Sequence, residues 1–185
     1  MDNELIESSD SDDLKQNTKA TINSTSKRVI HKDLILMATL IMVIVLDQLS
    51  KYIIKSTFNL YESWPETGIF RIYHTYNTGT AFGLLQGQTI LLIVASLIAL
   101  VFLIYIYNEY TLDNIILRMA LGLQLGGAIS NLSDRLAFGS VTDFISVGWW
   151  PIFNIADSSI VVGITILIAG ILYREKLSKL NEKQP

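Results

Sequence analysis

The residues best able to do chemistry in this chain are carboxylates, amides and cations lodged in or beside long apolar runs. Asp47, Gln48 and Lys51 lie within the first run, and Asn131, Asp134 and Arg135 close the third. Asn154 and Asp157 open the fourth, with Asp143 in the stretch before them and Asn77 in an earlier connector. A charge within a membrane helix is expensive, so each such group is a functional-site hypothesis by default. Asp143 and Asp157 are the two that could act as a pair. Two carboxylates facing each other in a partly dry site cannot both ionise cheaply, so they share a proton and titrate as a unit. The ionised member can take a proton from water. The protonated member can polarise a scissile carbonyl and later help protonate the leaving amine. Such chemistry suits peptide hydrolysis and calls for no cofactor. There are no cysteines and only two histidines, His31 and His74. That excludes thiolate chemistry, disulfides and Cys-based metal sites and argues against a His-rich one, so no metal is expected.

Each residue also has a plainer reading. Asp47 and Lys51 are four apart, in the favourable acid-before-base order, and read as an ion pair that orients a helix. Asn131 and Arg135 are likewise four apart. Arg135 can make a bidentate pair, either as a structural clamp or as a substrate contact. Asp157 taken alone is a helix cap, since a helix N-terminus favours negative charge. Asp143 taken alone is an exposed loop acid.

The elements that must position these groups are membrane spans. Half of the 185 residues are hydrophobic, and they come in long runs. Four spans are expected at about 34–54, 89–107, 112–133 and 155–173, each near the ~20 residues that cross a hydrocarbon core. Gly122 and Gly126 have small-xxx-small spacing, which permits close helix contact, and packing is their simplest role. Residues 1–30 are polar, and six acids in the first thirteen residues turn a body of charge +3 into a chain of −3. They read as a disordered cytoplasmic tail, followed by a peptidase domain over 31–176 and a short C-terminal tail over 177–185. Lys27, Arg28 and Lys32 precede the first span, and Arg174, Lys176, Lys179 and Lys183 follow the fourth. Both termini are therefore expected in the cytoplasm. The polar groups then form one layer near the outer face, with Gln124 as the main exception. The outer connectors, 55–88 and 134–154, are not plain loops. Ile69–Tyr76 reads as one or two short strands, and Trp149 and Trp150 suit the membrane–water interface. No basic patch interleaves with aromatics, so nucleic acid is not an expected partner.

At these residues the chain resembles lipoprotein signal peptidase, or signal peptidase II, over about 34–173. Asp47-Gln48-Leu49-Ser50-Lys51 resembles the family's first-helix motif, and Asn77-Thr78-Gly79-Thr80-Ala81-Phe82-Gly83 its outer-loop motif. Gly126 to Arg135 resembles the signature that ends the third helix. Val141-Thr142-Asp143-Phe144-Ile145 and Phe153-Asn154-Ile155-Ala156-Asp157-Ser158 resemble its two aspartate motifs. Five motifs in order form a specific signal where any one alone is weak. Ser130 stands where the family usually has Gly, and Thr80 where it often has Ala.

The resemblance implies an all-α membrane protein of four transmembrane helices with a small extracytoplasmic β-cradle, multi-pass in a bacterial cytoplasmic (inner) membrane. It implies an aspartic endopeptidase that cuts prolipoproteins on the amino side of a diacylglyceryl-modified cysteine and is inhibited by globomycin. Catalysis falls to Asp143 and Asp157. Asp47, Lys51, Asn77, Gly127, Asn131, Arg135 and Asn154 would support the site or contact substrate, and Asp134 would be structural. Membrane lipid surrounds such an enzyme, and a monomer is expected. A competing reading is a small proton-coupled transporter or channel, which would need polar groups along the whole path. An inactive scaffold is a third, disfavoured by the presence of both acids.

Overall fold

The computed structural model describes residues 34–80, 84–109 and 114–181. The polar stretch at 1–30, Asp113 and the Ala81–Gly83 end of the second motif lie outside the described residues. In chain order come α1 (Leu34–Thr57), β1 (Ser63–Trp64), β2 (Phe70–Asn77), α2 (Thr89–Glu109), α3 (Ile115–Phe138), β3 (Val141–Val147) and α4 (Ile155–Asn181). Four of these helices carry segments long and apolar enough to cross a membrane: Leu34–Thr57, Thr89–Tyr107, Ile115–Phe138 and Ile155–Tyr173.

The exposed surface of the helices is apolar, as a lipid-facing surface must be. Ile90, Val101, Phe102, Val161 and Leu172 all point outward. The burial pattern of α1 identifies its inner face. Leu36, Thr39, Val43, Asp47, Lys51 and Ile54 are buried at spacings of three and four, the period of a single helix stripe. The two charged residues therefore lie on the same stripe as the packing residues.

α3 is the central helix, with 67% of its span buried against 11% for α2. Its glycines make that possible. A Cβ on Gly122 would lie 2.8 Å from the Leu36 carbonyl oxygen, and one on Gly126 would lie 2.8 Å from that of Leu40. The Gly122-xxx-Gly126 pair is thus the face on which α1 rests. On the other side, a Cβ on Gly127 would meet the Ala156 oxygen and Ser159 Oγ, each at 2.5 Å. α4 can approach α3 this closely only because Gly127 has no side chain. Around Leu117, Ala120, Leu121, Leu125 and Leu167 the bundle closes into an apolar core.

α3 runs five residues past its expected end. Asn114 caps its start by accepting the Ile116 N–H at 2.8 Å. Gly139, at φ 72°, ends it in the left-handed conformation and donates its N–H to the Arg135 carbonyl. Asp134 and Arg135 therefore belong to the last turns of α3 rather than to the following connector.

The three strands form one antiparallel sheet in the order β1-β2-β3. Trp64 pairs with Ile72 and Ser63 with Tyr73, while Thr75 pairs with Asp143 and Asn77 with Val141. An irregularity between Ile72 and Thr75 shifts the β2–β3 register. The Ile69–Tyr76 segment accordingly forms a single strand, β2. After β3 the chain turns back through Gly148 (φ 54°), and Phe153 bridges Ile145 from both its N–H and its carbonyl. That bridge delivers Asn154, the next residue, to the side of Asp143.

Candidate active site

The site begins with the first turn of α4. Asn154 is its N-cap, and Asp157 lies three residues on. The Asn154 side-chain oxygen accepts the Asp157 N–H at 2.9 Å, and Asp157 Oδ2 accepts the Asn154 N–H at 3.2 Å. This is the reciprocal arrangement of a capping box. The cap reading of Asp157 is correct as far as it goes, but the same carboxylate also accepts Asn131 Nδ2 through Oδ1 at 2.8 Å.

Asp143 is not an exposed loop acid. It lies in β3, only 2% exposed. Its two oxygens are held by two amides: Asn77 Nδ2 donates to Oδ2 at 2.9 Å, and Asn154 Nδ2 donates to Oδ1 at 2.6 Å. Burial, reinforced by the nearby charge of Asp157, raises the Asp143 pKa to about 7, against the pull of the two amides and of Lys51. Asn154 therefore holds both aspartates at once, Asp143 through its side chain and Asp157 through its backbone.

Behind the pair lies a buried ionic cluster. Lys51 Nζ sits 2.6 Å from Asp47 Oδ2, 2.8 Å from Asp134 Oδ2 and 3.0 Å from Asn131 Oδ1. An ammonium has three donors and no acceptor, so these three contacts use it fully. They also fix the Asn131 amide. Its oxygen faces Lys51 and Asn154 Nδ2, which leaves its NH₂ for Asp157. Asp47 Oδ1 accepts the Ala156 N–H at 2.8 Å, one of the donors a helix start leaves without an intrahelical partner. Two carboxylates on one ammonium would be costly at full burial without further donors. Gln48 and Ser130 supply them: Gln48 Nε2 donates to Asp134 Oδ1 and to Ser130 Oγ, both at 2.9 Å, and Ser130 Oγ donates to Asp47 Oδ2 at 2.7 Å.

The second motif closes the other flank. Asn77 Oδ1 accepts the Gly79 N–H at 2.9 Å, which orients its amide towards Asp143. Arg135 Nη2 donates to the Gly79 carbonyl at 3.4 Å, in the clamp role rather than as a carboxylate pair. Thr89 Oγ1 donates to the Gly139 carbonyl, tying the start of α2 to the end of α3.

Asp47, Lys51, Asn77, Asn131, Asp134, Asn154, Asp143 and Asp157 thus form one connected network. Gly127 lies beneath it at the α3–α4 contact, and Arg135 reaches its edge. Sequence reasoning singled out Gln48 among the polar groups of the first span but gave it no partner, and it gave Ser130 no role.

A family model described as signal peptidase (SPase) II matches residues 39–173, the stretch that carries every member of this network. The chain belongs to the signal peptidase II family. Among its relatives, the lipoprotein signal peptidase of Moorella thermoacetica is 41% identical over 128 residues, covering 69% of this chain and 85% of that protein. The lipoprotein signal peptidase of Shouchella clausii is 40% identical over 146 residues, covering 78% and 94%. A solved structure described as a bacterial membrane enzyme, at 2.3 Å resolution, shares the fold with a TM-score of 0.70 and 31% identity, covering 81% of this chain and 92% of its own. Signal peptidase II enzymes are peptidases, and the transporter reading falls away with that membership. Four apolar helices and a three-stranded sheet fit a multi-pass bacterial membrane enzyme of this family.

Proposed function

We propose that this chain is a membrane-embedded aspartic endopeptidase that removes signal peptides from prolipoproteins, cutting on the amino side of a diacylglyceryl-modified cysteine, with Asp143 and Asp157 as its catalytic pair. The observation that carries this reading is Asn154 joined to both carboxylates. A residue that fixes two acids beside each other makes a one-proton pair. Burial raises the pKa of Asp143 to about 7, so the pair keeps a proton below that pH. The protonated member polarises the scissile carbonyl, while the ionised member draws a proton from the attacking water. As the tetrahedral intermediate collapses, the proton taken from water passes to the departing amine and the other acid regains the proton it lent to the carbonyl oxygen.

The remaining residues set the geometry. Asn131, oriented by Lys51, holds Asp157, and Asp47 holds the first turn of α4. Asn77 holds Asp143, and Asp134 serves structure by completing the charge of Lys51. Gly127 permits the approach of α4, and Arg135 clamps the Asn77 loop through Gly79.

Basic residues outside the first and fourth spans favour both termini in the cytoplasm and the sheet end of the bundle at the outer face. There a lipid-anchored cysteine presents its scissile bond without leaving the membrane, its acyl chains lying against apolar helix faces among membrane lipid. A globomycin-type cyclic peptide would compete for the same site, and a monomer carries the whole catalytic network. Reporter fusions test the orientation, and a C-terminus read outside the cell would contradict it. The function is tested by cleavage of lipidated and unlipidated precursor by the wild type and by Asp143→Asn and Asp157→Asn.

A further inference from the structure

The hydroxyl of Ser130 is fully buried, at 0% exposure, and is used in both directions. It accepts from Gln48 Nε2 at 2.9 Å and donates to Asp47 Oδ2 at 2.7 Å. We infer that Ser130 is a positioning residue for the proposed peptidase reaction, acting through Asp47 on Lys51 and on the first turn of α4. The inference rests on the function proposed above.

Asp47 has two tasks that compete for one carboxylate plane. Oδ1 must accept the Ala156 N–H, one residue before Asp157, and Oδ2 must meet Lys51. The Ser130 hydroxyl fixes that plane from a third direction. It also takes up part of the Oδ2 charge, so the ammonium is shared among Asp47, Asp134 and Asn131 rather than drawn to Asp47 alone. The contact with Asn131 points the Asn131 NH₂ at Asp157. Removing the Ser130 hydroxyl therefore loosens Asp157 at two points, the backbone one residue before it and its carboxylate, without touching either aspartate.

The chemistry separates this role from plain packing. In Ser130→Ala the Cβ stays and only the space of the hydroxyl oxygen is vacated, too little to admit a water. In Ser130→Gly the vacated space is bounded by Asp47 Oδ2 and Gln48 Nε2, polar partners of the kind a buried water requires. A water there restores the donor. Helix propensity runs the other way, since Gly in a helix is less stable than Ala.

The experiment measures kcat, KM and the thermal midpoint for wild type, S130A and S130G in detergent, using a diacylglyceryl-modified precursor. The expected result is a kcat about tenfold lower in S130A, with KM within about twofold of wild type. S130G should recover much of that kcat despite a lower thermal midpoint. The inference is overturned if S130A keeps wild-type kcat, if its loss lies in KM, or if S130G is no more active than S130A. If the wild type leaves the lipidated precursor uncut, the proposed function fails and the inference falls with it. If the wild type cuts and S130A matches it, the inference alone fails.

Discussion

Asn154 and Asp157 cap each other across the first turn of α4, side-chain oxygen to N–H at 2.9 Å and N–H to carboxylate at 3.2 Å. The local structure that starts the helix is thus the one that fixes a proposed catalytic group. Capping and catalysis can be separated at this residue. Asn154→Asp keeps a capping acceptor but replaces the amide that donates to Asp143 with a third carboxylate. It should lose at least about a hundredfold in kcat although the cap acceptor is retained, and the new carboxyl, buried among the oxygens of Asp143, Asn131 and Thr142, should lower stability by more than the about 0.5–2 kcal/mol of a cap deletion. Turnover and thermal unfolding of N154D and N154A check this. Wild-type turnover in N154D would contradict it.

Gly127 offers a second separation. An added Cβ meets the Ala156 oxygen and Ser159 Oγ at 2.5 Å, so Gly127→Ala must push α4 away from α3. The expected cost is about 1–3 kcal/mol of stability and a loss of turnover, because Asn131 and Asp157 ride on the two helices being separated. Gly139→Ala is the control. Its φ of 72° strains any side chain by about 1–2 kcal/mol, but nothing lies within 4 Å of the new Cβ. It should lose stability and keep turnover. Equal turnover losses in the two variants would remove the positioning role of Gly127.

In the proposed mechanism the raised pKa of Asp143 sets the alkaline limit of activity. A carboxyl with a pKa of about 7 keeps its proton below that value and loses it above. As pH rises through about 7, the pair passes from one shared proton to none, and kcat/KM should fall. The pH profile of precursor cleavage measures this directly. A profile that stays flat well above pH 7 would contradict it.

Much of this arrangement was legible in the chain because lipid imposes a simple rule. A span must be long and apolar, so the Asp47–Lys51 pair stands out, and its spacing alone places both on one helix face. Asp157 was legible as a cap for the same local reason. Asp143 was not, because its burial depends on a pairing with Thr75 across the sheet and on a bridge from Phe153 to Ile145. The last turn of α3, beyond the expected bound near 133, was not legible from hydropathy because Asp134 and Arg135 interrupt the apolar run. Asp134 is neutralised by Lys51, 83 positions away, and no local pattern announces such a partner. Gly139, placed as a helix-ending glycine should be, was the available sign. Ser130 stood out only as a departure from the family's usual Gly, because its partner Gln48 lies on another helix.

The most direct test of the central claim is cleavage of a diacylglyceryl-modified prolipoprotein by purified wild type, D143N and D157N, with thermal unfolding recorded for each. The catalytic-pair assignment predicts that both variants fold and that each loses at least about a thousandfold in turnover. Near-normal turnover in either folded variant would contradict it.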